Sequence, residues 1–113
     1  MSELSAEDAK LVTLARATKA RVRAAQGAAV RDSDGRTYAG ASVDLPSLQL
    51  SALEVCVAMA IASGSAGLEA AVVLTDALTG PVPGIDAARD FAGAGIPVHQ
   101  GDAKGTLSGL TTT

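Results

Sequence analysis

The sequence predicts an α/β domain of three layers, with helices on both faces of a mixed sheet. Three observations point there. A chain of 113 residues can bury one core and not two, so a single domain is expected over 1–113. Apolar residues make up 48% of it, yet the only aromatics are one tyrosine and one phenylalanine, Tyr38 and Phe91. The core must therefore be filled by Ala, Val, Leu and Ile in closely packed layers. Finally, segments with helical periodicity alternate with short apolar runs bounded by glycine, proline and aspartate, which is the rhythm of helices laid on a sheet.

Ser5, with Glu7 and Asp8 following, has the form of a helix start, Asp8 being the acid of a capping box and both acids lying near the positive end of the helix dipole. The first helix is expected to run to about Arg23, with Leu11, Leu14, Ala15, Thr18 and Val22 at helical spacing. Arg16, Lys19, Arg21 and Arg23 collect toward its C-terminal half, where the dipole favours cations, and read as a solvated face. Gly27–Arg31 and Arg36–Val43 flank Asp32-Ser33-Asp34-Gly35, residue types suited to a tight turn, so this is a hairpin. The segment has a passing likeness to a calcium loop but lacks the later acidic ligands.

Residues 48–64, LQLSALEVCVAMAIASG, read as the second helix, ended by Ser63-Gly64-Ser65. EAAVVLT at 69–75 is a short and nearly continuous apolar run, the pattern of a strand buried on both faces. Gly80-Pro81-Val82-Pro83-Gly84 breaks the chain. Ile85–Phe91 then forms a third helix and Ile96–His99 a last strand. From about residue 101 the sequence turns polar and Gly/Thr-rich, and is expected to be a loosely ordered tail.

A formal charge of −3 supplies no basic field for phosphate backbones, so nucleic acid is not an expected partner. No apolar run approaches the ~20 residues of a membrane helix. The acidic, polar start MSELSAEDAK does not have the form of a signal peptide, and one cysteine cannot make an internal disulfide. A cytoplasmic protein is expected.

The stretch from 27 to 64, GAAVRDSDGRTYAGASVDLPSLQLSALEVCVAMAIASG, resembles the front half of the cytidine deaminase family. That family characteristically runs Gly-Ala-Ala, an Asp-Gly turn, Tyr, Gly and Asn-Val-Glu, then a Cys-Ala-Glu motif opening a helix. The register from Gly27 to Met59 needs no gap. The turn at Pro81, with the helix and Pro97-Val98 after it, resembles the place of the family's Pro-Cys-x-x-Cys motif. The resemblance implies the α/β/α fold of that family. It also implies a zinc ion held by three Cys or His ligands, whose hydroxide attacks C4 of cytosine while a glutamate moves protons.

The ligands themselves are missing. Leu53 stands where the first ligand belongs and Val55 where the glutamate belongs. A shift of one residue recovers the acid as Glu54 but leaves Ala52 as the ligand. In the second motif Val82 and Ile85, or Gly84 and Ala87, fill the cysteine positions. The whole chain has one cysteine, Cys56, and one histidine, His99, so no metal site and no cofactor are expected. The sugar-binding Asn-Val-Glu corresponds to Ser42-Val43-Asp44, both polar side chains being shorter. The phenylalanine against the pyrimidine corresponds to Ala24.

Ser42 and Asp44 are thus vestigial substrate-binding candidates, and Glu54 is the one catalytic candidate, although an acid in the first turn of a helix also serves the dipole. Cys56 reads as a small buried hydrophobe and His99 as a surface or satisfied histidine. The expected function is that of a catalytically inactive cytidine-deaminase-like protein acting through self-association or another protein partner. Ala52, Ala58, Ala60 and Ala62 permit close approach of a second helix, and in related deaminases this helix lies near subunit interfaces. Two alternatives stay open: an active cytidine or deoxycytidine deaminase that borrows groups from a partner subunit, and a nucleoside-binding module without chemistry.

Overall fold

The computed structural model describes residues 4–77 and 80–113; the start of the acidic N-terminal segment, residues 1–3, lies outside the described residues. Helix α1 (Ala6–Val22) is followed by strands β1 (Gln26–Asp32), β2 (Thr37–Ala41), β3 (Val43–Leu45) and β4 (Leu48–Leu50). Helix α2 (Ala52–Ala62), strand β5 (Leu68–Thr75), helix α3 (Ile85–Ala92), strand β6 (Pro97–Gly101) and strand β7 (Leu107–Thr112) complete the chain. Five strands form one mixed sheet in the order β2-β1-β5-β6-β7, in which only β5 and β6 run parallel. Among the described residues no helix is long and apolar enough to cross a membrane.

Alternation along the central strands builds the three layers. Ala29 of β1 and Ala70, Val72 and Leu74 of β5 meet Leu11 and Ala15 of α1 on one face. Ala28, Val30, Ala71 and Val73 point the other way, into a second cluster with Leu53, Cys56 and Val57 of α2 and Ala88 of α3. Because β5 is covered on both faces its sequence is an apolar run and not an alternation.

The helix α1 begins as its sequence implies, with Ser5 Oγ accepting from the Asp8 backbone N–H at 3.1 Å. The Asp8 carboxylate, however, does not return to close a capping box. It reaches across the sheet, 3.0 Å from Arg31 Nη1 and 3.2 Å from His99 Nε2. The Arg31 contact is an ion pair without an aligned hydrogen bond, and Arg31 Nε also donates to Glu69 Oε1 at 2.8 Å. His99 is thereby a partly buried, partnered histidine between α1 and β6. Lys19 departs from the solvated face expected of it: its stem is buried against β1 and its ammonium donates to Asp76 Oδ1 at 2.7 Å, the usual division of a long cationic side chain between apolar and polar surroundings.

The β1–β2 turn is organised by Asp32. Its Oδ1 accepts from the backbone N–H of Asp34 and of Arg36, both at 2.9 Å, and Oδ2 accepts from the Ser65 hydroxyl. Tyr38 joins the same chain through Ser65 at 3.3 Å. The Ser65 bond, with the two backbone donors, holds the Asp32 carboxyl below its ordinary range although no solvent reaches it. Hydrogen bonds to the ionised form outweigh its desolvation.

Two expected boundaries move. Residues 48–50 are not the first turn of α2 but strand β4, paired with β3 in a small hairpin around Pro46-Ser47. The chain after Gly101 is not a loose tail: β7 pairs along β6 from Pro97↔Thr112 to Gly101↔Leu107. The Thr113 hydroxyl then fastens its end, donating to Gly93 O at 2.6 Å and accepting from Ile96 N–H at 3.0 Å.

Candidate functional site

The start of α2 is where the sequence directs attention, and there each polar side chain is occupied by the protein itself. Ser51 is the N-cap; its Oγ accepts from Glu54 N–H at 3.1 Å and Glu54 Oε1 accepts from Ser51 N–H at 2.8 Å, a complete capping box. Gln26 Oε1 accepts from Ala52 N–H at 3.1 Å. At the positive end of the helix, where an anion or a polarised substrate group could otherwise bind, the N–H groups of Ala52, Glu54 and Val55 are taken by protein acceptors.

Glu54 is half-buried and lines a groove of about 600 Å3 together with Pro81–Ala87 and Arg89. Ser42 and Asp44 do not line it. The Ser42 hydroxyl accepts from Gln26 N–H at 3.1 Å, so it lies near the start of α2 but is turned to a strand backbone. Asp44 is exposed on β3, where Oδ1 accepts from its cross-strand partner Gln49 at 3.3 Å. The three candidates do not converge on one cavity. Ala24, in the phenylalanine position, follows α1, with its N–H donating to Lys19 O.

The residues that the resemblance sets at the ligand positions do converge, as hydrophobes. Leu53 is fully buried and Val82 is 5% exposed; both belong to one core cluster, with Ile85 packed against it. Val55 packs on β2, where a Cβ added to Gly40 would stand 2.7 Å from Val55 Cγ1. None of Leu53, Val82 and Ile85 has a lone pair to offer a cation, and among the described residues no three His, Cys, Asp or Glu side chains are grouped as metal ligands. The donor set therefore does not fit zinc, which takes sulfur, nitrogen or carboxylate oxygen.

Cys56 lies one turn into α2, fully buried, and burial pushes its thiol up to about 12, because an apolar site disfavours the thiolate. A thiol reagent at pH 8 is expected to modify native protein on the order of 100-fold or more slowly than denatured protein. Equal rates, followed by absorbance, would show Cys56 to be accessible.

Two features of the site lie outside the expectations above, and only one of them has a local sign in the sequence. Gln26 carries no local sign of its role, since its partner is 26 residues away. The capping box did have one: Ser51-Ala52-Leu53-Glu54 is the S-x-x-E pattern, and it marks the helix start that the apolar run 48–50 obscures.

A family model described as cytidine deaminase-like matches residues 4–105, and the chain belongs to that family. Cytidine deaminase from Burkholderia pseudomallei superimposes with a TM-score of 0.80 at 18% identity, covering 96% of this chain and 93% of that one. Cytidine deaminase from Mycobacterium leprae gives 0.73 at 21%, covering 96% and 94%. A glutamate-to-glutamine mutant of the Mycobacterium tuberculosis enzyme gives 0.67 at 21%, covering 87% and 85%. At such identities the likeness is one of fold. No curated protein sequence matches the chain.

Proposed function

We propose that this chain is a cytidine-deaminase-like protein without the zinc site, catalytically inactive, that works in the cytoplasm by associating with copies of itself. The observation that carries the reading is the apolar packing of Leu53, Val82 and Ile85 at the ligand positions. Without a metal to acidify it, water stays too weak an acid to supply hydroxide at neutral pH. The acid that could move protons, Glu54, is bonded to its own helix cap. Self-association is supported by the uncovered face of α2, on which Ala58, Ile61 and Ala62 are exposed. A buried, unpaired cysteine suits a reducing compartment.

The test is a metal analysis paired with an ammonia-release assay on cytidine and deoxycytidine. No stoichiometric zinc and no turnover above background are expected, with Glu54→Gln behaving as wild type. Zinc that survives a chelator wash, together with deamination abolished by Glu54→Gln, would make the protein a working deaminase completed by a partner subunit. Stabilisation by cytidine without turnover, about 2.7 kcal/mol at a hundred times the dissociation constant, would make it a nucleoside-binding module.

A further inference from the structure

We infer that the apolar side chains at the ligand positions form a dry joint that fastens the turn before α3, and α3 itself, to the start of α2 without any metal. The inference rests on the reading that the protein holds no zinc, but its observations are separate.

Helix α3 has only eight residues, too short to hold its shape without tertiary contacts. Its N-cap is Gly84, with no side-chain capping bond. The turn before it contains Pro81 and Pro83, neither of which has an N–H to donate. The backbone bonds there are local, Ile85 N–H to Val82 O and Ala88 N–H to Gly84 O, both at 3.2 Å, and the side-chain pair Arg89–Asp86 stays within the helix. Among the described residues no hydrogen bond or ion pair joins α3 or its preceding turn to α2.

What holds them together is packing. Val82 inserts into the cluster that contains Ala52, Leu53 and Cys56 of α2, and Ile85 lies against it. Gly84 lets the turn close. At φ 90° it has a conformation that glycine alone adopts readily, and a Cβ there would collide with Ser51 Oγ and stand 3.1 Å from Glu54 Cγ. The Ser51–Glu54 capping box folds the Glu54 stem alongside this glycine, so the polar cap and the apolar contact form one surface. A metal ion bound between these segments would tie them together by its ligand bonds; Leu53, Val82 and Ile85 tie them by excluding water.

Hydrogen exchange read by mass spectrometry tests the joint. Val82→Ala is expected to speed exchange of the α3 amides by roughly tenfold or more, with the α1 and β1 amides changing less than about twofold, because a local opening is made easier and global unfolding is not. Gly84→Ala is a second variant that leaves the core volume unchanged, and the same pattern is expected of it. A chelator wash is expected to leave the wild-type exchange unchanged. Uniform acceleration across the chain, or none in α3, in both variants would overturn the joint while leaving the zinc-free reading intact. Acceleration in α3 on chelation, with zinc released, would overturn both.

Discussion

Gly27→Val is expected to destabilise the chain by about 3 kcal/mol or more, the upper end of what overpacking costs. The reason is where α1 crosses β1. A Cβ at Gly27 would stand 2.5 Å from Ala15 O, 2.5 Å from Lys19 Cβ and 3.2 Å from Lys19 Cα. Two of these three atoms are helix backbone and the third, Lys19 Cβ, is bonded directly to it, so none can swing aside as the end of a long side chain could. The helix must lift, and lifting it separates Leu11 and Ala15 from Ala29, Ala70, Val72 and Leu74 and draws Lys19 away from Asp76. Urea unfolding followed by circular dichroism gives the free energy, and a fall in Tm of roughly 10 °C or more should accompany it. Gly40→Ala is expected to be milder, because the nearest atom there is Val55 Cγ1, a side-chain methyl that a rotamer change can move. A Gly27→Val protein as stable as wild type would mean that α1 does not dock on β1 in this register.

The same glycines explain how the fold can be read from a sequence in which the family's ligand motifs are not matched residue by residue. Gly27-Ala28-Ala29 and Gly40 match the family because of packing: Gly27 seats α1, Ala29 and Ala28 face opposite layers, and Gly40 admits α2 onto β2. These demands are the same whether or not a metal is bound, so the hairpin's resemblance rests on packing and is independent of the ligand positions. The turn that carries Asp34-Gly35 is held for a similar reason, since it depends on the bonds the Asp32 carboxylate accepts.

What a linear reading could not reach are partnerships between distant residues and elements with little burial. Asp8 follows the local rule for a capping acid, but its carboxylate serves Arg31 and His99, and Lys19 is drawn from its solvated face by Asp76, 57 positions on. The β3–β4 hairpin leaves Leu45 and Leu48 about half exposed, so no buried stripe distinguishes it from a helix that follows directly. β7 is Gly/Thr-rich and mostly exposed; backbone pairing with β6 fixes it, and that has no signature in side-chain hydropathy. Around α2 the helix-start role of Glu54 was legible and the partners of the other two candidates were not: Ser42, Asp44 and Glu54 are near one another along a deaminase-like register, yet the bonds they make turn each toward a separate internal partner.

Ala62→Arg is expected to convert a homo-oligomer into a folded monomer, and Ala58→Arg to do the same. Ala52 and Ala60 are spent inside the chain's own core, but Ala58 and Ala62 are exposed and Ile61 between them is 53% exposed. Beside them a groove of about 470 Å3 is lined by Val57, Ile61, Ala87, Asp90 and Phe91. Within a single chain an arginine at either exposed alanine meets solvent and should change stability by no more than about 0.5 kcal/mol. In a closely packed helix interface the same side chain brings a clash and a charge without a partner, at a cost of several kcal/mol, which weakens association by roughly 100-fold or more. The two situations separate cleanly in light scattering joined to circular dichroism: a lower mass with an unchanged spectrum is the expected result. A wild type that is monomeric at micromolar concentration, and unaltered by either arginine, would leave α2 an ordinary core helix with a solvated outer face and remove self-association from the proposed function.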